Sequence, residues 1–145
     1  MYNLDMEKIK LEEIKLTSLQ PSQFLISIEK VKKIEKWFNR DNLSNFSAIP
    51  VKILDGDLVM TDGHTRAVVA IMHGLDYVPL VWEKEELSWD MYQECVKECK
   101  RQNIKSPYDL LSRIVDEDEY KDKWDKWCDK MQEEVINRRN NKVAN

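Results

Sequence analysis

The apolar and polar positions in the first part of the chain predict a strand, a helix and a loop. Residues 13–19 alternate polar and apolar side chains, as a strand with one buried face does, and Pro21 ends the run. From about residue 28 to 38, apolar residues recur at helical spacing with lysines between them. The stretch from 39 to 47 has the composition of a loop.

The next segment predicts a β-hairpin. Two apolar runs, residues 49–54 and 58–61, flank Asp55-Gly56-Asp57. A tight turn between two strands needs positive φ at its centre, which an Asp-Gly pair readily adopts. Pro50 has no backbone N–H, so it suits a strand end or an edge strand.

A buried helix and another strand follow the hairpin. Residues 65–73 are apolar nearly all round, which is typical of a helix enclosed by other elements, and Gly74 is suited to end it. Residues 77–82 predict a strand. The predicted order of elements is therefore β, α, β, β, α, β.

The remainder of the chain predicts about three helices. Ser88 is suited to cap the first, and Ser106-Pro107 with Asp109 marks the start of the second. Residues 137–145 are expected to fray. The third helix should present one apolar face formed by Tyr120, Trp124, Trp127, Met131 and Val135.

Together these elements predict an α+β fold. We expect a small mixed β-sheet of about four strands with the buried helix against it, followed by an α-helical tail. The length of 145 residues suits one domain, with an α+β core at residues 10–82 and a helical C-terminal extension at 88–139. Hydrophobic residues make up 42% of the chain, which is enough to fill a core.

The composition also narrows the cellular location. No apolar run approaches the roughly 18 residues that a membrane helix needs. The segment Met1–Glu7 lacks the basic-then-apolar layout of a secretory signal, and the 3 cysteines do not suggest a disulfide framework. We therefore expect a cytoplasmic protein that does not act in a membrane.

The charge balance argues against binding of nucleic acid through a generally positive protein surface. The chain carries 23 basic and 27 acidic side chains, a net charge of -4. Lys32, Lys36 and Arg40 recur at helical spacing and could form a local DNA-contacting stripe. The alternative for that stripe is an ordinary solvated helix face.

The junction between the hairpin and the buried helix carries the strongest chemical signal. Gly63 permits a sharp turn, the helix start offers unpaired N–H groups, and Arg66 adds a forked cation. Asp62 or Thr65 can cap the helix, while His64 can donate, accept or titrate. These features predict an anion site, most naturally for phosphate. The alternative is a structural turn in which Asp62 caps the helix and Arg66 pairs with a carboxylate.

Residues 13–82 resemble the ParB/sulfiredoxin superfamily, a bacterial-type domain. The resemblance rests on the order of elements, the Gly-x-x-Arg junction and Val78-Pro79-Leu80-Val81. It implies a ParB/sulfiredoxin-like fold in which the junction binds nucleotide phosphates. The ligands so implied are ATP, ADP or CTP with Mg²⁺. The residues implied as nucleotide or phosphate contacts belong to the DGHTR motif and are Gly63, His64, Thr65 and Arg66.

The branches of that superfamily differ in chemistry, and this chain departs from each. Sulfiredoxins are similar at the junction but have a catalytic Cys where this chain has His64 and Thr65, so the resemblance does not extend to that activity. ParB partition proteins have an acidic residue after the Gly and continue into a helix-turn-helix DNA reader. The tail of this chain is acidic and rich in Trp instead.

Free-serine kinases are similar to this chain in the Asp-Gly-His and Arg positions of the junction. The resemblance implies a catalytic Glu two positions after a Pro, and Gln23 occupies that position here. Two other carboxylates are candidate catalytic bases. Glu29 has an ion pair with Lys33 as its alternative role, and Asp62 has helix capping.

Two functions therefore stay open. The first is a nucleotide- or phosphate-binding ParB-like domain, in its sharper form a serine-kinase-like phosphotransferase acting on a small molecule. The alternative is a non-catalytic ParB-like module that binds DNA or a partner protein, and a degenerate scaffold is a third reading. The sequence leaves the oligomeric state open.

Two further groups of residues have a structural and a functional interpretation. Cys95, Cys99 and Cys128 are expected to be buried thiols and not a zinc site, because Cys-x-x-x-Cys within one helix is a poor framework for four ligands. His73 is expected at the C-terminal end of the buried helix. Core packing or base stacking could explain the aromatic residues of the tail, which are Trp89, Tyr92, Trp124 and Trp127.

Overall fold

The computed structural model describes residues 6–144 of the chain. The segment Met1–Glu7, in which no secretory signal is predicted, lies mostly outside that range. The strands are β1 (Ile26–Ser27), β2 (Ile49–Leu54), β3 (Asp57–Met60), β4 (Leu80–Trp82) and β5 (Ile114–Val115). The α-helices are α1 (Ile28–Glu35), α2 (His64–Met72), α3 (Trp89–Arg101), α4 (Glu117–Tyr120) and α5 (Lys126–Ala144).

The main sheet has three strands where about four were expected, in the order β3-β2-β4 with β2 in the centre, because β1 pairs with β5 in a separate sheet. β2 pairs antiparallel with β3 and parallel with β4, so the sheet is mixed, as predicted. The hairpin turn is also confirmed, because Asp55 and Gly56 both have positive φ, 52° and 85°. Pro50 is the second residue of the central strand, so the strand-end interpretation is right and the edge-strand interpretation is wrong.

The strand predicted at residues 13–19 is wrong. The structure forms 3-10 turns at Leu11–Glu13 and Leu16–Ser18, because Leu16 and Leu19, three residues apart, both turn into the core beneath the sheet. The extended backbone begins later, at Gln20. Its N–H donates to the Leu58 carbonyl at 2.8 Å, and its carbonyl accepts from Met60 N at 2.9 Å, so the chain runs alongside β3.

Helix α2 lies at the centre of the molecule, as the all-apolar pattern predicts. Ala67 and Ala70 pack against the residues of the main sheet, whereas Val68 and Val69 pack against α1 and the tail. Each valine contributes about 1.5–3 kcal/mol through burial of its side chain. Gly74 ends the helix with φ +83°.

The tail is helical but differs in detail from the prediction. The segment Pro107–Arg113 is a 3-10 helix, at whose start Asp109 Oδ2 accepts from Ser106 N at 3.2 Å. A π-helical turn, Lys121–Asp125, connects α4 to α5. The parallel pair of β1 with β5 ties the tail to the chain just before α1.

The end of the chain is helical where the sequence predicted fraying. Residues 137–144 continue α5 to Ala144, while Asn145 lies outside the described residues. Arg138 pairs with Glu94 at 3.0 Å, and Arg139 pairs with Asp90, so this part of α5 is fastened to α3. Between residues 6 and 144, no helix is long and apolar enough to cross a membrane.

The protein thus has an α+β fold, with a small mixed sheet, a buried helix and an α-helical tail. Residues before and after position 82 share one core. Phe24 and Val68 lie in the same buried cluster as Leu110 and Tyr120. The tail therefore packs directly behind the start of α2.

Candidate functional site

The junction between β3 and α2 turns at Gly63, which is the N-cap of α2 in the left-handed conformation, with φ +81° and ψ 18°. The Gly63 carbonyl accepts the first helical hydrogen bond, from Ala67 N at 3.0 Å. None of the described side chains caps the helix, so the capping roles considered for Asp62 and Thr65 are wrong. The backbone N–H groups of the first turn have no acceptor within the helix and can bind a ligand.

The Arg66 side chain folds back over Gly63. A Cβ atom at Gly63 would lie 2.8 Å from Arg66 Nη2 and 3.0 Å from Ile49 Cγ1, so only glycine leaves room for this arrangement. Arg66 Nε is buried without a hydrogen-bond partner, and within residues 6–144 the guanidinium makes no ion pair. The interpretation of Arg66 as the partner of a carboxylate is therefore wrong.

A cavity of about 280 Å³, called cavity A below, opens at the start of α2. Lys30 and Lys33 of α1 line it together with Arg66, and Asp62 is the one carboxylate among its described lining residues. Three cations therefore face one anion in a chain whose net charge is -4. The remaining polar lining is formed by Gln23, Gly63, His64 and Thr65.

Sequence reasoning missed Lys30 and Lys33 as site residues. They are three residues apart on α1, and the packing of α1 against α2 brings them to the junction. Lys32 lies between them but pairs with Glu29 at 3.6 Å, outside the cavity. The predicted pair of Glu29 with Lys33 is therefore wrong. Glu29 lines neither this cavity nor the neighbouring one, so its candidacy as a catalytic base is not supported by geometry.

His64 is buried and neutral. Its Nε2 accepts a hydrogen bond from the Ser22 backbone N–H at 2.9 Å, which leaves the ring proton on Nδ1. Ser22 is itself held by a bond from its Oγ to the Met60 carbonyl, at 2.6 Å. Burial lowers the pKa of His64 to about 4, although the nearby Asp62 carboxylate opposes the shift. His64 can therefore hydrogen-bond to a ligand but does not add a positive charge at neutral pH.

Tyr120 of the tail connects two residues of cavity A. Its hydroxyl oxygen accepts from Gln23 Nε2 at 3.3 Å and from Lys30 Nζ at 3.2 Å. The Lys30 ammonium also lies 4.7 Å from the centre of the Tyr120 ring. Gln23 donates further to the Leu25 carbonyl at 2.8 Å. No sequence signal distinguished Tyr120 from a core aromatic, because its partners are about 90 residues away in the chain.

A second cavity of about 220 Å³, called cavity B below, lies between the junction and the tail. It shares Gln23, Asp62 and His64 with cavity A, so these side chains stand where the two cavities meet. Tyr92 holds the far wall in place by donating from its hydroxyl to the Thr61 carbonyl at 3.0 Å. The tail contributes eight residues to the lining of cavity B, two of them uncharged polar residues: Ser88, Met91, Tyr92, Cys95, Trp124, Cys128, Met131 and Gln132.

Some aromatic residues of the tail serve core packing, and others line a cavity where a ring could stack. The rings of Trp124 and Trp127 stack with centroids 5.7 Å apart, and Phe24 meets both edge-on, which is core packing. Trp89 lies apart from them, beneath the Lys52 ammonium at 4.9 Å. Among these aromatics Trp124 and Tyr92 also reach cavity B.

The predicted basic stripe does not form one helix face. α1 ends at Glu35, so Arg40 lies beyond the helix and donates to the His73 carbonyl at 2.8 Å. Lys32 is engaged with Glu29. His73 caps the C-terminal end of α2, as expected, and its Nε2 lies 2.8 Å from a carboxylate oxygen of Glu35.

Cys95 and Cys99 are buried, as predicted, whereas Cys128 is half-buried. Burial raises the pKa of Cys95 and of Cys128 to about 12, and it raises the pKa of Cys99 as well. In the described part of the chain, no group of three or more His, Cys, Asp or Glu side chains is arranged to hold a metal ion.

Fold and site together define an α+β protein with a cationic cavity at the start of its buried helix. No protein-family model matches the chain, and no curated protein matches it in sequence. Among solved structures it is similar to the crystal structure of protein Atu1540 from Agrobacterium tumefaciens, with 18% identity and a TM-score of 0.40. The match covers 71% of this chain and 60% of that one, and at this level it supports no conclusion about function.

Proposed function

We propose that the protein binds a nucleotide or another phosphorylated small molecule in cavity A. The observation that carries the proposal is the convergence of Lys30, Lys33 and Arg66 on the open N-terminus of α2. In the described part of the chain none of the three makes an ion pair, and Arg66 Nε is buried without a partner. A phosphate would satisfy these groups, and each charge-assisted hydrogen bond would contribute about 1.5–3 kcal/mol.

The charge of the lining favours a ligand with more than one negative charge. Three cations exceed the single carboxylate of Asp62, and the forked guanidinium of Arg66 matches two oxygens of one phosphate. Asp62 also fits a nucleotide that carries Mg²⁺, because that ion is commonly held by one or two carboxylates together with phosphate oxygens. ATP, ADP and CTP are the ligands to test first. Membership of the ParB/sulfiredoxin superfamily is part of the same proposal.

A phosphotransferase related to free-serine kinases is the sharper form of the proposal. Asp62 stands where cavities A and B meet, so its carboxylate could accept a proton from an acceptor hydroxyl. Gln23, at the position where the resemblance implies a Glu, is a neutral amide and cannot do this. Incubation with Mg²⁺ and ATP, ADP or CTP, and with hydroxylated amino acids, should give turnover that Asp62→Asn abolishes. If no acceptor gives turnover, the phosphotransferase is excluded and only the binding proposal remains.

Calorimetric titration with ATP, ADP, CTP and inorganic phosphate, with and without Mg²⁺, tests the binding proposal. Arg66→Ala should weaken binding at least ten-fold, since about 1.4 kcal/mol corresponds to one factor of ten. Lys32→Ala is the matched control, because it removes a lysine from the same helix as Lys30 without touching the cavity. The control should bind like the wild type.

Lack of saturable binding by the wild type would overturn the proposal. The favoured function would then be the alternative one, a non-catalytic module that binds DNA or a partner protein. Salt-dependent retention on DNA, or co-purification of a partner, unchanged in Arg66→Ala, would support that alternative. Equal losses in Arg66→Ala and Lys32→Ala would likewise count against cavity A as the site.

A further inference from the structure

We infer that the ligand has two parts, and that a single uncharged aromatic ring attached to its phosphate occupies cavity B. The inference rests on the proposed function, because it takes the phosphate in cavity A as its starting point. It goes further by choosing between the two ligand classes proposed above: it favours a phosphorylated small molecule, an aromatic phosphate ester, over a nucleotide such as ATP or ADP, whose adenine has two rings. It uses the tail, which lies outside residues 13–82 that carry the family resemblance.

The two cavities meet at shared residues. Gln23, Asp62 and His64 line both, so a group bonded to a phosphate in cavity A can continue into cavity B without crossing a wall. His64 is neutral and carries its proton on Nδ1, so it adds no positive charge that would attract a second phosphate there. The part of the ligand that passes this boundary is therefore the part without charge.

The walls of cavity B are suited to an aromatic ring. Of the described residues that line it, Asp62 at the boundary is the only charged one, and no lysine or arginine is present. Met91 and Met131 offer thioethers, whose contacts with aromatic rings are favourable. Trp124 adds an indole surface and Cys128 a thiol that stays protonated because of its raised pKa. An anion would find no counter-charge on these walls.

The size of cavity B limits the ring to one. Its volume is about 220 Å³. A cavity of about 150 Å³ is enough to hold benzene. One six-membered ring with a small substituent therefore fits. The hydroxyl of Tyr92 donates to the Thr61 carbonyl and keeps lone pairs free, so it can still accept one hydrogen bond from that substituent.

Titration with phenyl phosphate and methyl phosphate separates the contributions of the two cavities. Both compounds carry the same charged group, and only phenyl phosphate carries a ring. Phenyl phosphate should bind the wild type at least ten-fold more tightly. Cys128→Phe fills cavity B, so it should reduce the affinity for phenyl phosphate to that for methyl phosphate and leave methyl phosphate unaffected. Leu111→Phe adds the same ring at an exposed position outside both cavities, so it should change neither affinity.

A second measurement uses the wild-type protein and does not depend on the folding of Cys128→Phe. Cys95 and Cys128 both line cavity B, but Cys128 is half-buried, whereas Cys95 and Cys99 are buried. Bound phenyl phosphate should slow alkylation of Cys128 at pH 9 at least five-fold, and methyl phosphate should not. Equal affinities for the two compounds, or equal protection by them, would overturn the inference while leaving the proposed function standing. If phenyl phosphate, methyl phosphate, inorganic phosphate and the nucleotides all failed to bind, both the inference and the proposed function would be overturned.

Discussion

His64 is kept neutral by its burial, and this makes the stability of the protein depend on pH. The pKa is about 4 in the folded chain, against an ordinary value of 6.5, so the unfolded chain binds more protons between these values. The contribution is complete above pH 6.5 and is lost as the pH falls towards 4. The free energy of unfolding should therefore drop by about 3 kcal/mol from this residue alone between pH 7.5 and 4.0.

Urea unfolding of the wild type and of His64→Gln at both pH values checks this prediction. A glutamine can still accept the hydrogen bond from Ser22 N, but it does not titrate. The pH dependence should be smaller in the variant by about the same 3 kcal/mol. Equal pH dependence in the two proteins would show that His64 is not desolvated in solution.

Cys128 should be a slow nucleophile despite being accessible from cavity B. Its pKa is raised to about 12 by burial, and only the thiolate reacts. Alkylation at pH 8 should be about a thousand-fold slower than that of free cysteine, and should speed up about ten-fold for each pH unit up to 10. Mass spectrometry of the labelled protein measures the rate, with Cys128→Ser as the unlabelled control. Rapid labelling at pH 8 would contradict the raised pKa.

At the scale of elements, the turn at the start of α2 can be separated from the guanidinium that lies over it. Gly56 and Gly63 both have positive φ, 85° and 81°, but a Cβ at Gly56 meets nothing within 4 Å. Alanine at either position should therefore cost about 1–2 kcal/mol of backbone strain. Only Gly63→Ala should also displace Arg66, whose Nη2 would lie 2.8 Å from the new Cβ.

The comparison of the two alanine variants is thus a test of the site as well as of the fold. Thermal unfolding should show a similar loss of stability from backbone strain in both variants. Gly63→Ala should lose further stability because it also displaces Arg66. Calorimetry should show near-normal phosphate binding for Gly56→Ala and at least a ten-fold loss for Gly63→Ala. The prediction fails if the two variants lose affinity equally.

The elements that sequence reasoning predicted well are those whose signals are local. The Asp55-Gly56 turn and the all-apolar helix α2 need only neighbouring residues to be recognised. Residues 13–19 misled because their alternation fits a half-buried strand, while the spacing of Leu16 and Leu19 fits a 3-10 turn equally well. The packing of Leu16 and Leu19 against the sheet selects the 3-10 turn, and the segment alone does not reveal that packing.

At the scale of the whole molecule, the candidate site combines a part that was predictable with a part that was not. Gly63 and Arg66 could be found from the sequence, because the junction is contiguous. Lys30 and Lys33 join them only through the packing of α1 on α2. Cavity B depends on α3 and α5, so its wall forms from residues far away in the chain, such as Cys128. Local sequence therefore reveals the junction, whereas long-range packing decides the shape of the site and supplies two of its three cations.

Tyr120 gives this long-range packing a measurable consequence for binding. Tyr120→Phe keeps the buried ring but removes the hydroxyl that accepts from Lys30 and Gln23. We expect the affinity for phosphate to fall about five-fold, the worth of about 1 kcal/mol for one hydrogen bond. Tyr108→Phe is the matched control, since it loses a hydroxyl bonded to Asp76 at 3.1 Å, away from both cavities.

A double-mutant cycle distinguishes positioning of Lys30 from a general effect on stability. If Tyr120 acts through Lys30, Tyr120→Phe should cost little further affinity in a Lys30→Ala background, because the lysine that it orients is gone. If the loss is merely structural, the two changes should add. Additive losses, or an equal loss in Tyr108→Phe, would show that the tail stabilises the protein without shaping cavity A. A non-additive result would show that the tail contributes to anion binding by positioning Lys30.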